Sequence, residues 1–400
     1  MPVRYTPTAT TRAAAGGAIV TVVARVLAAI QLLLAARVFG RMATTANGSR
    51  IERVSGVGPK AGQVTVLVPV LNEVGRLSPC LAGLAGQGSE LAEILVIDGG
   101  STDGTPELVD RWMARDSRIR FIDATPVPAG VNGKAHNLRA GLRQSGQAPW
   151  VLTIDADVRP DPRLVRSLLA HAIRNDVSAM SVATRQLLSG SAEGLVHPAM
   201  LTTLVYRFGI PGSATADANR VQANGQCFLV RRDILDAVGG FDGVLDSVCE
   251  DVTLARTIAR RGHRVGFYEA GALARVAMYG GWRDAWENWS RSLPMRDRHS
   301  GVAGRIGLAE VLLVQAAPLW LAGLWSWRLG RREPAAALNV VLAVARIGVL
   351  GGTARAYERV PATYWFSPLA DLPVAVRLIA MWRRRRHRWR GRDFISGDAA

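Results

Sequence analysis

The chain has 400 residues, of which 49% are hydrophobic, and its formal net charge at neutral pH is +17. So large an apolar fraction excludes a disordered or collagen-like chain, and three scattered cysteines exclude a disulfide framework or a cysteine-ligated zinc site. The positive charge is typical of a partner of nucleic acid or of an anionic membrane. Much of the arginine lies beside apolar segments, so we expect a membrane and no nucleic acid.

The first predicted element is an apolar segment over residues 13–36, interrupted by Arg25. Its length and its internal charge favour a membrane anchor, assigned to residues 1–45, over a signal peptide, whose apolar core is shorter. A soluble or interfacial helix is the third interpretation.

Strand and helix patterns alternate over residues 63–281, which predicts an α/β domain with a mostly parallel sheet flanked by helices. Residues 64–70, 93–98 and 150–155 are short, largely apolar runs, as expected of buried strands. Polar residues end each run, and open α/β sheets bind ligands at the carboxyl ends of their strands. The sequence therefore predicts a ligand site at that edge.

Asp155 and Asp157 are the central feature of this predicted site. The strand period turns both side chains to one face, about 7 Å apart. Carboxylates that close repel each other unless a cation lies with them, and hard oxygen ligands suit Mg²⁺ or Mn²⁺. The pair predicts a divalent ion that bridges a diphosphate. The alternative is a solvated turn, because Asp-x-Asp alone is a weak motif.

Five motifs follow one another along this region: Val-Pro-Val-Leu-Asn-Glu (68–73), Val-Ile-Asp-Gly-Gly-Ser-Thr-Asp-Gly-Thr (96–105), Gly-Lys-Ala-His-Asn-Leu (133–138), Ile-Asp-Ala-Asp (154–157) and Glu-Asp (250–251). In this order they resemble the family 2 glycosyltransferases, over about residues 63–293. The resemblance implies a GT-A fold and a nucleotide-diphosphate sugar as donor. The flanking apolar helices resemble the membrane-anchored members that glycosylate lipid acceptors.

The resemblance also implies a role for each matching residue. Pro69, Asn72, Glu73, Asp98 and Asp103 would bind the nucleotide, with Asp98 on the base. Lys134 would face the diphosphate, Asp155 would lie near the ribose and the metal, and Asp157 would be the main metal ligand. Asp251 would be the catalytic base, with Glu250 beside it.

Reaction chemistry supports a carboxylate in the position of Asp251. Sugar transfer breaks an anomeric C–O bond while the diphosphate leaves with growing charge, which a metal ion and a cation neutralise. A carboxylate on the opposite face deprotonates the acceptor hydroxyl, and the in-line attack inverts the anomeric centre. Glu250 and Asp251 begin an apolar-periodic helix, so ordinary helix capping is the alternative, above all for Glu250.

Residues 221–229 lie between the metal motif and the proposed base, and they resemble the acceptor-side Asn-Gly-Gln strand of the family. Asn224 and Gln226 are therefore candidates for binding a sugar or acceptor hydroxyl. A structural strand with satisfied amides is the alternative.

Trp282, Trp286, Trp289 and Leu293 share one face of a predicted helix over residues 282–300. Tryptophan favours the membrane–water boundary, so we expect an interfacial helix that brings a lipid acceptor, with Trp289 at the acceptor, to Asp251. A buried core face is the alternative. Arg291 of the same helix is a candidate partner of the diphosphate.

Residues 287–292 read Glu-Asn-Trp-Ser-Arg-Ser, where processive polysaccharide synthases carry Gln-x-x-Arg-Trp. This departure predicts a non-processive enzyme. The segment resembles the Trp-Ser-Lys-Asn segment of the carotenoid- and hopanoid-associated members, and Trp389-Arg-Gly-Arg392 resembles a C-terminal feature of that group.

The C-terminal region, 306–382, contains three apolar candidates for membrane spans: 311–327, 335–352 and 361–382. The arginine-rich tail, 383–400, follows, and the positive-inside rule assigns it to the cytoplasm. If the catalytic domain is cytoplasmic too, two spans and one re-entrant or interfacial segment fit, whereas three spans do not. The predicted protein is thus a multi-pass protein of the cytoplasmic membrane.

Together these features predict a membrane-anchored, metal-dependent, inverting glycosyltransferase that moves a sugar from a nucleotide-diphosphate sugar to a lipid-soluble acceptor. Two other classes stay open. One is a non-catalytic membrane scaffold or binding module with a glycosyltransferase-like domain. The other is a nucleotidyltransferase, which would carry a glycine-rich nucleotide loop where this chain has Asn72 and Glu73.

Overall fold

The computed structural model describes residues 9–56, 60–384, 386–389 and 392–395. A long helix comes first, and strands and helices then alternate. The elements of this part are α1 (Ala9–Thr45), β1 (Val64–Val70), α2 (Leu77–Ala85), β2 (Leu91–Asp98), α3 (Thr105–Met113), β3 (Ile119–Asp123), α4 (Gly133–Gln144), β4 (Trp150–Ile154), β5 (Val158–Pro160), α5 (Leu164–Arg174), β6 (Ala179–Gln186), α6 (Ser191–Phe208), β7 (Ser213–Thr215), β8 (Cys227–Arg231), α7 (Arg232–Ala237), α8 (Glu250–Arg260) and β9 (Val265–Val276).

The rest of the chain is mostly helical. Its elements are α9 (Trp282–Asp284), a π-helical turn (Ala285–Trp289), α10 (Ser290–Ser292), α11 (Gly301–Glu310), a second π-helical segment (Val311–Ala316), α12 (Pro318–Leu329), α13 (Pro334–Thr353), a 3₁₀ helix (Ala362–Ala370), α14 (Asp371–Arg383), β10 (Arg386–Trp389) and β11 (Arg392–Ile395). Arg390 and Gly391 of the predicted basic tail lie outside the described residues.

The main sheet has the strand order β3-β2-β1-β4-β8-β6-β9-β5, with β7 on β9. The first four strands in this order are parallel, as the sequence predicts. β8 is antiparallel to both β4 and β6, so the sheet as a whole is mixed. A strand buried on both faces has the same apolar pattern in either direction, and the sequence therefore does not reveal the direction of β8.

Both faces of the sheet are buried. Val66 and Val68 of β1 belong to one hydrophobic cluster, which includes residues of α2 and α5. Leu67 of the same strand belongs to a second cluster, with residues of α4 and α8. Successive side chains of a strand point to opposite faces, which explains why every residue of β1 is buried and all but Thr65 are apolar.

Two helical segments in the described part of the chain, Ala18–Thr45 and Pro334–Ala356, are long and apolar enough to cross a membrane. Gly301–Ala316 and Pro318–Leu329, which meet at an angle of 56°, would together form a third such segment. The last apolar candidate of the sequence, 361–382, does not form one long helix. It is a 3₁₀ helix followed by α14, and Val374 and Leu378 of α14 pack into the core of the helical region.

Two polar contacts fix how α1 lies against α13. Arg25 pairs with Glu333 at 2.8 Å, and Gln31 Nε2 donates to Asn339 Oδ1 at 2.9 Å. A step of six residues along α1 thus matches a step of six from Glu333, the N-cap residue of α13, to Asn339. The two helices therefore run side by side in the same direction.

Candidate active site

A cavity of about 1250 Å³ lies between the carboxyl end of β4 and the helical region. Six charged residues predicted from the sequence line it together: Lys134, Asp155, Asp157, Glu250, Asp251 and Arg291. They come from four separate segments of the chain. The folded chain therefore brings the predicted metal ligands and the predicted base into one space.

Lys134 lies at the centre of this group. Asn132 caps α4, because its Oδ1 accepts a hydrogen bond from the backbone N of Lys134 at 2.9 Å. The Lys134 ammonium then lies 2.7 Å from Asp155 Oδ1 and 2.9 Å from Glu250 Oε1. Burial lowers the pKa of Lys134, but the charges of Asp155, Glu250 and Asp251 outweigh burial and the net pKa is raised. Lys134 is thus a permanent cation between the metal motif and α8.

The Asp251 carboxylate lies near Gly225, as do the charged ends of Lys134 and Glu250. A Cβ built on Gly225 would lie 3.3 Å from both Asp251 Oδ2 and Glu250 Oε1. Burial, followed by the charge of Glu250, raises the pKa of Asp251 to about 6, while the charge of Lys134 opposes this rise. Asp251 therefore remains ionised at neutral pH and is a stronger base than an exposed aspartate.

The first turn of α8 supports an electrostatic role for Glu250. The N-cap residue, Cys249, makes no side-chain capping bond. Glu250 is buried, pairs with Lys134 and accepts a hydrogen bond from Asn132 Nδ2 at 3.4 Å. Its contacts thus connect α8 to the start of α4, which goes beyond helix capping.

Asp155 and Asp157 follow the last residue of β4. The backbone N of Asp155 donates to Gln226 O at 3.1 Å, which ties this turn to the start of β8. Asp157 Oδ1 is buried and has no hydrogen-bond partner in the described part of the chain. Burial, followed by the charge of Asp155, raises the pKa of Asp157 to about 7. A buried carboxylate oxygen without a partner beside a second carboxylate suits a divalent cation.

Within the described residues, no group of three or more His, Cys, Asp or Glu side chains is arranged to hold a metal ion. An ion bound here would therefore take its other ligands from water and from phosphate oxygens. Mg²⁺ commonly binds in this way, through one or two carboxylates and the phosphates of a substrate.

The residues predicted to bind the nucleotide lie at the carboxyl ends of β1 and β2, where Val70 is paired with Asp98. The Asp98 carboxylate accepts hydrogen bonds from Ser101 N and Oγ, and Asn72 Oδ1 accepts one from Thr102 N at 2.9 Å. Asp103 accepts from Thr105 N and Val74 N, both at 3.1 Å. These bonds join the two loops into one rigid edge.

Pro69, Asn72, Glu73, Asp98 and Asp103 do not line the large cavity. Pro69 is a buried residue of β1 paired with Ile97, so its side chain supports the edge from within. Arg76 connects the edge at the ends of β1 and β2 with the large cavity, because it pairs with Glu73 at 2.8 Å and lines the cavity.

Arg76 and Tyr279 are absent from the sequence-based site. The positive charge of Arg76 lowers the pKa of Asp157 and opposes the larger effect of burial. Its spacing, three residues after Glu73 in the loop that follows β1, is a signal that could have identified it. Tyr279 is a half-buried cavity residue whose ring centroid lies 6.3 Å from that of Trp289. No sequence motif marks it.

Asn224 and Gln226 line the cavity and bind each other. Asn224 Nδ2 donates to Gln226 Oε1 at 3.0 Å, and Gln226 N donates to Asn224 Oδ1 at 3.0 Å. Gln226 Nε2 is buried and has no partner in the described part of the chain. The alternative of fully satisfied amides therefore does not apply to Gln226.

The predicted tryptophan helix ends at Ser292, short of residue 300, and a π-helical turn over Ala285–Trp289 changes its residue spacing. Trp282 is exposed, whereas Trp286 and Trp289 pack against the core of the helical region. Trp289 lies against the buried His197, with ring centroids 4.5 Å apart. The three indoles thus do not share one surface. Trp289 and Arg291 both line the cavity.

The fold resembles that of a solved enzyme. The mannosyltransferase PcManGT from Pyrobaculum calidifontis, determined in complex with GDP-Man and Mn²⁺, matches 88% of this chain and 99% of its own, with a TM-score of 0.52 and 23% identity. The similarity confirms the predicted fold class, a GT-A-like α/β fold with a sheet flanked by helices, and the curled sheet is mixed.

Two sequence relatives come from Rhizobium meliloti (strain 1021). The succinoglycan biosynthesis protein ExoA is 29% identical over 210 residues, which cover 50% of this chain and 59% of that protein. The lipopolysaccharide core biosynthesis glycosyltransferase LpsC is 34% identical over 129 residues, which cover 32% of this chain and 44% of that protein. The match thus spans about half the length of these relatives.

The fold defines a GT-A-like α/β protein. Residues 65–239 match the family model described as glycosyl transferase family 2. This part of the chain thus resembles a family 2 glycosyltransferase domain, and the match includes four of the five motifs, whereas Glu250-Asp251 lies beyond it. The subgroup with lipid acceptors stays a prediction.

Proposed function

We propose that the protein is a non-processive, inverting glycosyltransferase that transfers one sugar from a nucleotide-diphosphate sugar to a lipid-soluble acceptor at the cytoplasmic face of the membrane. The observation that carries this proposal is the convergence of Asp155, Asp157, Lys134 and Asp251 on one cavity. A scaffold or binding module would not need to keep a half-buried base, a cation and two metal-type carboxylates together.

The donor would lie along the edge formed by β1, β2 and β4. Asp98, Asn72, Glu73 and Asp103, supported by Pro69, would hold the nucleoside. Lys134 and Arg291 would face the diphosphate as cations. A nucleotide-sugar donor is supported by the match to the family 2 model and by the GDP-Man bound in PcManGT.

The metal would be Mg²⁺ or Mn²⁺, held by Asp155 and Asp157. The partnerless Oδ1 of Asp157 supports this assignment, and so does the Mn²⁺ in PcManGT. When bound, such an ion neutralises charge on phosphate oxygens.

Asp251 would carry out the proton transfer. The acceptor hydroxyl oxygen attacks the anomeric carbon while the bond from that carbon to the diphosphate oxygen breaks. The bonding electrons leave with the nucleoside diphosphate, and the hydroxyl proton passes to Asp251. Attack from the face opposite the leaving group inverts the anomeric centre. Glu250 and Lys134 would position the Asp251 carboxylate, and their charges would tune its pKa.

A membrane location is supported by α1, α13 and the bent pair formed by α11 and α12. Arg25 and Thr45 are 20 residues apart, which corresponds to about 30 Å along a helix, the thickness of the hydrocarbon core of a bilayer. The cavity opens beside the Thr45 end of α1, because Met42 and Ala46 line it. An acceptor dissolved in the membrane would therefore have a short path to Asp251.

The test is donor turnover by the purified full-length chain in detergent. The protein is supplied with a panel of nucleotide sugars and Mn²⁺ or Mg²⁺, and released nucleoside diphosphate is measured. We expect release that EDTA abolishes and a loss in Asp157→Ala. Asp251→Asn should lower kcat by about 10²–10⁴-fold and leave donor binding intact. Asp110→Asn, on the exposed surface of α3, is the matched control. Full turnover by Asp251→Asn would overturn the assignment of the base.

A further inference from the structure

The large cavity extends well beyond its charged end. It is lined there by Phe39 and Met42 of α1 and by Ala345, Gly348 and Gly352 of α13. These five residues are here called the α1–α13 groove. At about 1250 Å³ the cavity exceeds the range of roughly 300–1,000 Å³ that is typical of pockets for one small ligand. It therefore has room for a second substrate beside the donor.

Small residues keep the groove open. Ala345, Gly348 and Gly352 recur at intervals of three and four residues, so they share one face of α13. A Cβ built on Gly348 or on Gly352 would meet no atom of the described residues within 4 Å. Open space therefore lies beside both glycines, in a helix that is long and apolar enough to cross a membrane.

A second observation indicates a ligand in this cavity. Gln226 is 3% exposed, and its Oε1 accepts hydrogen bonds from Thr184 and Asn224. Its Nε2 lacks a partner in the described part of the chain. A buried amide without a partner costs stability, so a ligand oxygen that accepts this hydrogen bond would be favoured.

We propose that the α1–α13 groove binds the hydrocarbon chain of the acceptor and that Gln226 Nε2 donates to the acceptor's hydroxyl oxygen. This inference rests on the proposed function and specifies its substrate class, which is an alcohol with an extended apolar chain. The groove is continuous with the cavity that contains Asp251, so a chain lying along it can present its hydroxyl group to the base. The groove walls are apolar, and a free sugar would find few hydrogen-bond partners there.

The test varies the acceptor and the groove together. Primary alcohols from 1-butanol to 1-decanol are used as acceptors for the full-length chain at one detergent concentration. Each methylene that the groove buries should lower the acceptor KM by up to about fourfold. Gly348→Leu and Gly352→Leu fill the groove, and leucine is a better helix former than glycine, so α13 remains helical.

We expect these variants to raise the acceptor KM by a factor that grows with the length of the alcohol. Gly348→Leu and Gly352→Leu should raise the KM for 1-decanol at least tenfold and the KM for 1-butanol less than twofold. Gly351→Leu is the matched control, because Gly351 also has open space but does not line the cavity. An equal rise in KM for both alcohols, or the same rise in Gly351→Leu, would contradict the proposal that the α1–α13 groove binds the hydrocarbon chain.

A second measurement separates this inference from the proposed function. Binding of radiolabelled 1-decanol to the solubilised chain requires no turnover, and we expect at least tenfold weaker binding in Gly348→Leu than in Gly351→Leu. If the wild-type chain binds the alcohol but never releases a nucleoside diphosphate, the glycosyltransferase function is wrong and the groove stands. If turnover occurs and both variants bind 1-decanol equally well, the proposed role of the α1–α13 groove is wrong.

Discussion

The backbone of Gly225 passes so close to Lys134 that a Cβ built on it would lie 2.7 Å from Nζ. That separation is shorter than carbon and nitrogen atoms keep when they are not bonded. Nζ ends a flexible side chain, so an added methyl group would displace the ammonium rather than unfold the domain. Only glycine at position 225 leaves Lys134 free to contact both Asp155 and Glu250.

Gly225→Ala should therefore reduce turnover without unfolding the protein. Displacing a group of the reaction centre by about 1 Å can cost on the order of 10²-fold in rate. We expect a loss of kcat of that size, and a thermal midpoint close to that of the wild type. Gly323→Ala in α12 is the matched control, because an added Cβ there meets no atom within 4 Å in the part of the chain that the structure describes. A Gly225→Ala variant with normal kcat would contradict the close fit around Lys134.

The pH dependence of turnover should reflect Asp251. Burial and the charge of Glu250 raise the pKa of this carboxyl to about 6. Only the ionised form accepts a proton, so kcat at saturating donor and metal should be constant above that pH. Below it, kcat should fall about tenfold per pH unit. The residual activity of Asp251→Asn should lack this decline, and an unchanged decline would assign it to another group.

Substitutions of Glu250 and Lys134 should shift the decline of kcat at low pH in opposite directions along the pH axis. The charge of Glu250 raises the pKa of Asp251, whereas the charge of Lys134 lowers it. Glu250→Gln should therefore move the decline to lower pH, and Lys134→Gln should move it to higher pH. Both shifts are read from kcat against pH at saturating donor. Two shifts of the same sign would show that these residues act through something other than the charge of Asp251.

The sequence predicted the parts of the site that depend on strand ends. β1, β2 and β4 are apolar runs that end in polar residues, and parallel strands place their carboxyl ends at one edge. The motif order added Asp251, which is 94 residues after Asp157 and is brought near it only by the fold. Predicting that these residues converge therefore required no information on side-chain contacts.

Other features depend on tertiary packing and were not predictable in this way. A lysine in a motif does not reveal its partners, and Lys134 contacts Glu250 as well as Asp155. The π-helical turn over Ala285–Trp289 moves the tryptophans off one face, although their spacing fits an ordinary helix. The groove along α13 depends on open space beside Gly348 and Gly352, which the sequence shows only as a common spacing of small residues.

A buried ion pair should stabilise the helical region only when both partners are present. Arg346 of α13 donates to both carboxylate oxygens of Asp371, at 2.7 and 3.0 Å, and the two side chains are 2% and 1% exposed. Removing one partner leaves a buried charge, which costs about 3–5 kcal/mol, whereas replacing both is often neutral. Arg346→Met should therefore lower the free energy of unfolding by that amount.

The double variant Arg346→Met/Asp371→Leu should recover most of this loss, as measured by unfolding in detergent. Arg174→Met, which removes an exposed ion pair with Glu52, is the control and should leave the unfolding midpoint unchanged. A double variant as unstable as Arg346→Met would indicate that packing, rather than the uncompensated charge, explains the loss.

The orientation in the membrane is testable with introduced cysteines, because Cys80, Cys227 and Cys249 are all buried. If the catalytic domain is cytoplasmic, and α11–α12 and α13 are two spans, the loop between α12 and α13 faces outward. Arg332→Cys, in that exposed loop, should then react with a membrane-impermeant maleimide on intact cells. Ser117→Cys, on the exposed surface of the α/β domain, should react only after the membrane is opened. Labelling of Ser117→Cys on intact cells would reverse the orientation, and protection of both would place the α12–α13 loop on the cytoplasmic side.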